Sequence, residues 1–126
     1  MPFDTDKFIT YLRKNAAKRS QSKCAKFVRH ALEAGGANTK GHPAIAKLYG
    51  PILTRNGFHA ITVDKPETFG FLKGDIVVLE PTKRGNQAGH IAAYDGKIWI
   101  SDFTQSGFWP GPGYEKEKPS YVVYRR

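Results

Sequence analysis

The feature that most narrows the possible folds is a change of hydrophobic period at Phe58. Before it, apolar residues recur at helical spacing. After it, they alternate or run together in strand-length blocks bounded by Gly, Pro and Asp. Helices first and strands afterwards predict an α+β domain. At 126 residues the chain can bury one core but not two, so residues 1–126 read as one domain.

In the first half, Asp4 or Thr5 caps a helix reaching about Ala17, with Phe8, Leu12 and Ala16 on its apolar stripe. A second helix opens at Cys24, with Ser20 or Ser22 as its cap. Phe27, Val28, Ala31 and Leu32 form its stripe, and Gly35-Gly36 gives a left-handed stop. Gly41-His42-Pro43 predicts the start of a third helix that buries Ala44, Leu48 and Ile52, is kinked or divided by Pro51, and ends at Asn56-Gly57. In the second half, residues 58–63 read as a first strand. Residues 76–80, apolar on both faces, read as a central one. Residues 89–94 are a strand, Asp95-Gly96 a hairpin turn, and residues 97–102 the returning strand. The Gly- and Pro-rich tract 107–113 reads as a loop, and residues 120–124 close an antiparallel meander of about five strands.

The formal charge of +9, with a pI near 9.8, implies attraction to something acidic: nucleic acid, a membrane surface or an anionic polymer such as a bacterial wall. No Gly-rich phosphate cradle and no nucleic-acid module is present, so nucleic acid is not expected as a partner. No apolar run approaches the roughly 20 residues that span a bilayer, so neither is membrane insertion. The first residues carry neither a basic nor an apolar signal segment. Export would then need a secretion machine, a carrier or lysis of the producing cell. The single cysteine excludes an internal disulfide and a cysteine-based zinc cluster. Neither a metal nor another cofactor is expected.

That cysteine is placed for chemistry. In the first turn of a helix and flanked by Lys23 and Lys26, Cys24 sees positive charge that favours thiolate over thiol. The alternative is an inert buried cysteine. A thiol nucleophile needs an imidazole to manage its proton. Of four histidines, His30 lies on the other side of the same helix from Cys24. His42 is in a loop or helix start, and His59 near the edge of a strand. His90 stands at the mouth of a strand, behind a glycine that permits close approach.

The order Cys24-Ala25-x-x-Val28 opening a helix, Gly74-Asp75-Ile76-Val77-Val78, and Gly89-His90-Ile91-Ala92-Ala93-Tyr94 resembles the three signatures of the NlpC/P60 and CHAP group. These are papain-like cysteine hydrolases of bacterial peptidoglycan. The resemblance covers roughly residues 20–105 and implies a papain-like fold with helices packed on an antiparallel sheet. It also implies Cys24 as nucleophile, His90 as base and peptidoglycan as substrate. Small size and the missing signal segment are similar to the amidase effectors of type VI secretion systems, with a cognate immunity protein as a possible partner; phage lysins of the group are the other possibility. Either way the bond cleaved is an amide in or next to the stem peptide. A thiol acyltransferase of the same fold and a non-catalytic basic module are the rival readings.

In the group a third residue orients the histidine, and strand parity offers two candidates. A two-residue turn sets His90 opposite Ser101; a three-residue turn sets it opposite Asp102. The family histidine faces the helix that carries the cysteine. That favours the face of Ile98 and Ile100, and hence Asp102. Gln21 is a candidate oxyanion donor, as a glutamine is in papain-like enzymes. Trp109 and Tyr114, on the aromatic tract that follows, are candidates for walls of a substrate groove, or for a packed corner of the core.

Overall fold

The computed structural model describes residues 2–126. Among these, the elements follow in the order α1 (Thr5–Asn15), α2 (Cys24–Ala34), a 3-10 turn (Ala46–Leu48), α3 (Gly50–Arg55), β1 (His59–Ile61), β2 (Ile76–Leu79), β3 (His90–Tyr94), β4 (Trp99–Ile100), α4 (Pro112–Glu117) and β5 (Tyr121–Arg125). The strands form one antiparallel sheet in the order β1-β5-β2-β3-β4. The α+β layout expected from the change of period at Phe58 is therefore present. The meander is not, because β5 enters between β1 and β2 instead of closing an edge.

Two helix ends show how local sequence sets the frame. The Asp4 side chain caps α1 by accepting from the Lys7 amide at 3.0 Å. At the end of α2, Gly36 (φ +97°) takes the left-handed conformation. The Gly36 amide then donates to Glu33 and the Ala37 amide to Leu32, each at 2.9 Å, which closes a Schellman motif. The start of α2 departs from expectation, since neither Ser20 nor Ser22 caps it. The Ser20 hydroxyl accepts from the Ser22 amide instead, at 3.2 Å. Val28, Ala31 and Leu32 are buried as the stripe predicts, whereas Phe27 is only half-buried.

The expected third helix is broken up. Pro51 divides the segment and sits in the first turn of α3, where a missing amide hydrogen costs nothing. Ala46, Tyr49, Ile52 and Leu53 are buried there, while Ala44 and Leu48 are exposed. The tract read as a loop, residues 107–113, runs into α4, with Pro112 in its first turn and Lys118 (φ +48°) at its left-handed end.

Both sheet faces are covered, which explains why β2 is apolar throughout. Ile76, Val78, Ile91, Ala93 and Ile100 pack with Phe8, Leu12, Val28 and Leu32 of the helices. Val77, Leu79, Ala92, Trp99 and Val123 pack with Phe108 and Trp109 on the other side. The Gly-Asp signature is structural. The Asp75 carboxylate is buried and accepts from Arg125 Nε at 2.9 Å, from a second guanidinium nitrogen at 2.8 Å, and from the Leu72 amide at 2.8 Å. This two-pronged pair ties the residue just before β2 to the last residue of β5. Asp75→Ala is expected to cost about 2–3 kcal/mol, because it strands a partly buried guanidinium and an amide. Urea unfolding measures this, and an unchanged midpoint would show that the pair adds nothing.

Candidate active site

Three elements converge where β3 begins and β4 has ended: the start of α2, the start of β3, and the chain from Asp102 to Tyr114. Between them lies a groove of about 400 Å3, with Cys24, His90, Asp102, Phe103 and Tyr114 among its walls. His30, His42 and His59 do not line it.

Cys24 is the first residue of α2 and is half-buried. Burial pushes its thiol above the ordinary value; the Ile91 amide pulls it down, and the Asp102 carboxylate adds to the rise. The thiolate expected from the helix dipole and the lysines is thus not the resting form. Lys23 and Lys26 are exposed, so water screens their charge, whereas desolvation acts on the sulfur directly.

His90 enters β3 behind Gly89, whose φ is +76°. A Cβ at Gly89 would collide with the Leu79 carbonyl oxygen and the Lys47 side chain. Glycine is therefore required for β3 to approach β2 at this point, as the sequence suggests. Gly89→Ala is expected to destabilise the fold by about 2 kcal/mol or more through strain and collision, read as a lowered urea midpoint.

The partner of His90 is neither Asp102 nor Ser101 but Gln105. His90 Nε2 lies 2.8 Å from Gln105 Oε1. The Gln105 amide nitrogen donates to the carbonyls of Gly107 at 3.0 Å and Phe108 at 3.3 Å. Two carbonyls accept only from N–H, so they fix which end of the amide faces the imidazole. The oxygen faces it, so His90 carries its proton on Nε2, leaving the Nδ1 lone pair as the basic site. Burial lowers the His90 pKa; the Gln105 bond and the Asp102 charge raise it by less. The imidazole is therefore neutral at pH 7. Cys24 and His90 form a neutral thiol–imidazole set on one groove.

Both parity alternatives fail for one reason. Tyr94 pairs with Trp99, so the turn holds the four residues 95–98. The Asp95 carboxylate accepts from the Lys97 and Ile98 amides at 2.8 Å each, which stabilises that longer turn. Pairing between β3 and β4 then ends at Ile100, and the chain bends back so that the Gln105 backbone N–H donates to the Trp99 carbonyl at 2.9 Å. By alternation His90 falls in step with Ala92 and Tyr94, not with the helix-facing Ile91 and Ala93.

Asp102 has a different task. Its buried carboxylate accepts from the Gln21 amide at 2.6 Å, the Lys23 amide at 3.1 Å and the Ser101 hydroxyl at 3.2 Å. It holds the segment before Cys24 in place of a cap, with Ser22 at φ +55° between the two anchored amides. Ser101 is fully buried and touches Asp102, not the groove. The Gln21 side-chain amide is spent on the Arg19 carbonyl at 3.0 Å and does not line the groove, which removes it as an oxyanion donor. Trp109 lies in the second cluster, its Nε1 donating to Glu67 at 3.0 Å, and lines a separate hollow. Tyr114 does wall the groove, its ring centroid 6.0 Å from that of His90. No sequence signal marked Gln105, beyond its being an isolated amide inside an aromatic tract.

A thiol at an uncapped helix start and an imidazole at a strand start, on one groove beside an antiparallel sheet, define an α+β protein of papain-like fold. No protein-family model matches the chain, and no curated protein does. Among solved structures, it matches a chain of the native type VI effector–immunity complex Tae3–Tai3 from Ralstonia pickettii with 37% identity and a TM-score of 0.82, covering 98% of both chains. It also matches a chain of the selenomethionine form of that complex with 40% identity and a TM-score of 0.80, over 94% of this chain and 98% of the other. The chain belongs to the Tae3 family of type VI effectors.

Proposed function

We propose that the protein is an antibacterial effector that hydrolyses an amide bond in or next to the stem peptide of bacterial peptidoglycan, with Cys24 as nucleophile and His90 as base. The observation that carries the reading is the shared groove in which the Gln105 amide leaves Nδ1 of a neutral His90 free to take a proton. Membership in the Tae3 family supports the effector role, and the motif order of the NlpC/P60 and CHAP group supports peptidoglycan as substrate.

In this mechanism Nδ1 takes the thiol proton as sulfur attacks the amide carbon. The negative charge that develops on the carbonyl oxygen is met by backbone amides of the first turn of α2, which no side chain caps. The imidazolium returns its proton to the leaving amine as the C–N bond breaks, giving a thioester. Water, losing a proton to Nδ1, then releases the acid and restores the thiol. Gln105 holds the ring and its tautomer throughout. Tyr114 supplies a wall against which the substrate lies. The exposed Lys23 and Lys26 at the rim, on a chain of net charge +9, suit an anionic polymer.

The solved relatives are held in complexes with Tai3, so a cognate immunity protein is the expected protein partner, and delivery by a type VI machine the expected route to the wall. The test is digestion of purified sacculi followed by mass analysis of the released muropeptides. New amine termini that disappear after alkylation with iodoacetamide support the reading. A digest with no new termini overturns it.

A further inference from the structure

The second cluster opens to solvent in a hollow of about 440 Å3 on the sheet face away from α1 and α2. Phe69, Phe71 and Tyr94 are half-buried rings in its wall. Their centroids are 4.9 Å apart for Phe69 and Phe71 and 5.8 Å for Phe71 and Tyr94. Behind them lie the buried Trp99, Phe108 and Trp109. Fully buried rings need no further account, whereas half-buried rings around a concave space leave part of each ring free for contact.

The polar side chains of this hollow are two carboxylates, Glu67 and Glu115, with the Ser106 and Tyr94 hydroxyls. The Arg125 guanidinium lies outside it, 5.9 Å from the centroid of the Phe69 ring. Glu67 accepts from Trp109 Nε1 at 3.0 Å and pairs with Lys118 at 3.2 Å. The Trp109 bond, its own backbone amide and Lys118 hold its carboxyl down to about 2, so it is an acceptor throughout the working range. The two cations beside it are matched, Lys118 by Glu67 and Arg125 by Asp75, so no free positive charge selects an anionic group here. A neutral sugar ring fits both halves of the wall: its C–H face lies against aromatic rings, and its hydroxyls donate to carboxylates.

The hollow also shares a loop with the groove. Pro110, Gly111 and Tyr114 wall the groove, while Phe108, Trp109 and Glu115 wall the hollow. We propose that this hollow binds an uncharged N-acetylhexosamine unit of a glycan strand, holding the polymer while an attached peptide lies in the Cys24 groove. The inference rests on peptidoglycan being the substrate.

Both tryptophans of the chain, Trp99 and Trp109, line the hollow, so intrinsic fluorescence reports on it. Titration with the tetramer of N-acetylglucosamine is expected to give a saturable change. Phe69→Ala and Glu67→Gln should each weaken it about tenfold, which corresponds to about 1.4 kcal/mol, with melting curves showing that both variants stay folded. The same variants should release fewer fragments from intact sacculi at limiting substrate, yet cleave a glycan-free stem peptide at the wild-type rate. A flat titration, or equal binding by wild type and both variants, overturns the sugar site. So does tighter binding of the stem peptide than of the tetramer at the hollow. If the tetramer binds but wild-type protein cleaves neither sacculi nor stem peptide, the proposed hydrolase activity fails while the sugar site stands.

Discussion

Cys24→Ala is expected to release no new amine termini from sacculi, a loss of about 10^4-fold or more, while the protein remains folded. The size follows from the role: without the nucleophile no thioester forms, and only binding and oxyanion stabilisation remain. Folding should survive for local reasons. Alanine is the best helix former, and position 24 is the first residue of α2. The sulfur touches the first core cluster from a half-buried position, so its removal costs about 1 kcal/mol. The segment before it remains fastened by Asp102, whose bonds run to the Gln21 and Lys23 amides and not to the Cys24 side chain. Mass analysis of muropeptides gives the activity, and a melting curve gives the fold. Release within tenfold of wild type would remove Cys24 from the chemistry. It would then favour an inert cysteine on a basic binding module, whose retention on sacculi should fall steeply with salt.

The two residues of the proposed chemistry stand out in the sequence because each sits at a transition with a local signature. Cys24 opens a helix whose stripe and Gly36 stop are both written in a single stretch. His90 follows a glycine that only a close strand approach explains, and the collision a Cβ would make with the Leu79 carbonyl is the physical content of that signal. The hydrogen-bond partner of His90 was not legible because its position depends on a turn length. Asp95-Gly96 reads as a short hairpin turn, but the Asp95 carboxylate also binds the next two amides and so favours a four-residue loop. One such difference changes every cross-strand partner downstream. The chain that follows Ile100 does not stay in the ladder at all, so no parity argument reaches Gln105. The place of β5 was hidden for a related reason. Its insertion beside β2 is fixed by Val77 facing Val123 and by the Asp75–Arg125 pair, contacts between residues far apart in sequence. The resting charge of Cys24 misled because dipole and lysines are visible in sequence, whereas the desolvation that outweighs them appears only once α2 lies against β3.

Gln105→Leu separates positioning from mere structure. Leucine keeps the volume but loses both the oxygen that faces His90 Nε2 and the donor that anchors the loop at Gly107 and Phe108. Without that oxygen nothing fixes the proton on Nε2, and the basic nitrogen spends part of its time turned or protonated wrongly. The cost in kcat should be about 10^2-fold, in the range of a misplaced general base. The pH profile adds a sign that loss of packing alone does not give. The Gln105 bond favours the imidazolium, against the larger effect of burial. Removing it lowers the His90 pKa further, so the acid limb of kcat/KM should move to lower pH than in wild type, where it already lies below the ordinary imidazole value of about 6.5. Stability follows the same logic. With its pKa depressed in the folded state, His90 contributes stability that is fully present above about pH 6.5 and is lost as pH falls towards the folded value, because only the unfolded chain takes up the proton readily. Ring nitrogen shifts from 15N NMR should show the Nε2–H tautomer in wild type and a mixture in the variant. A variant with wild-type kcat, acid limb and tautomer would show that Gln105 does not hold the base.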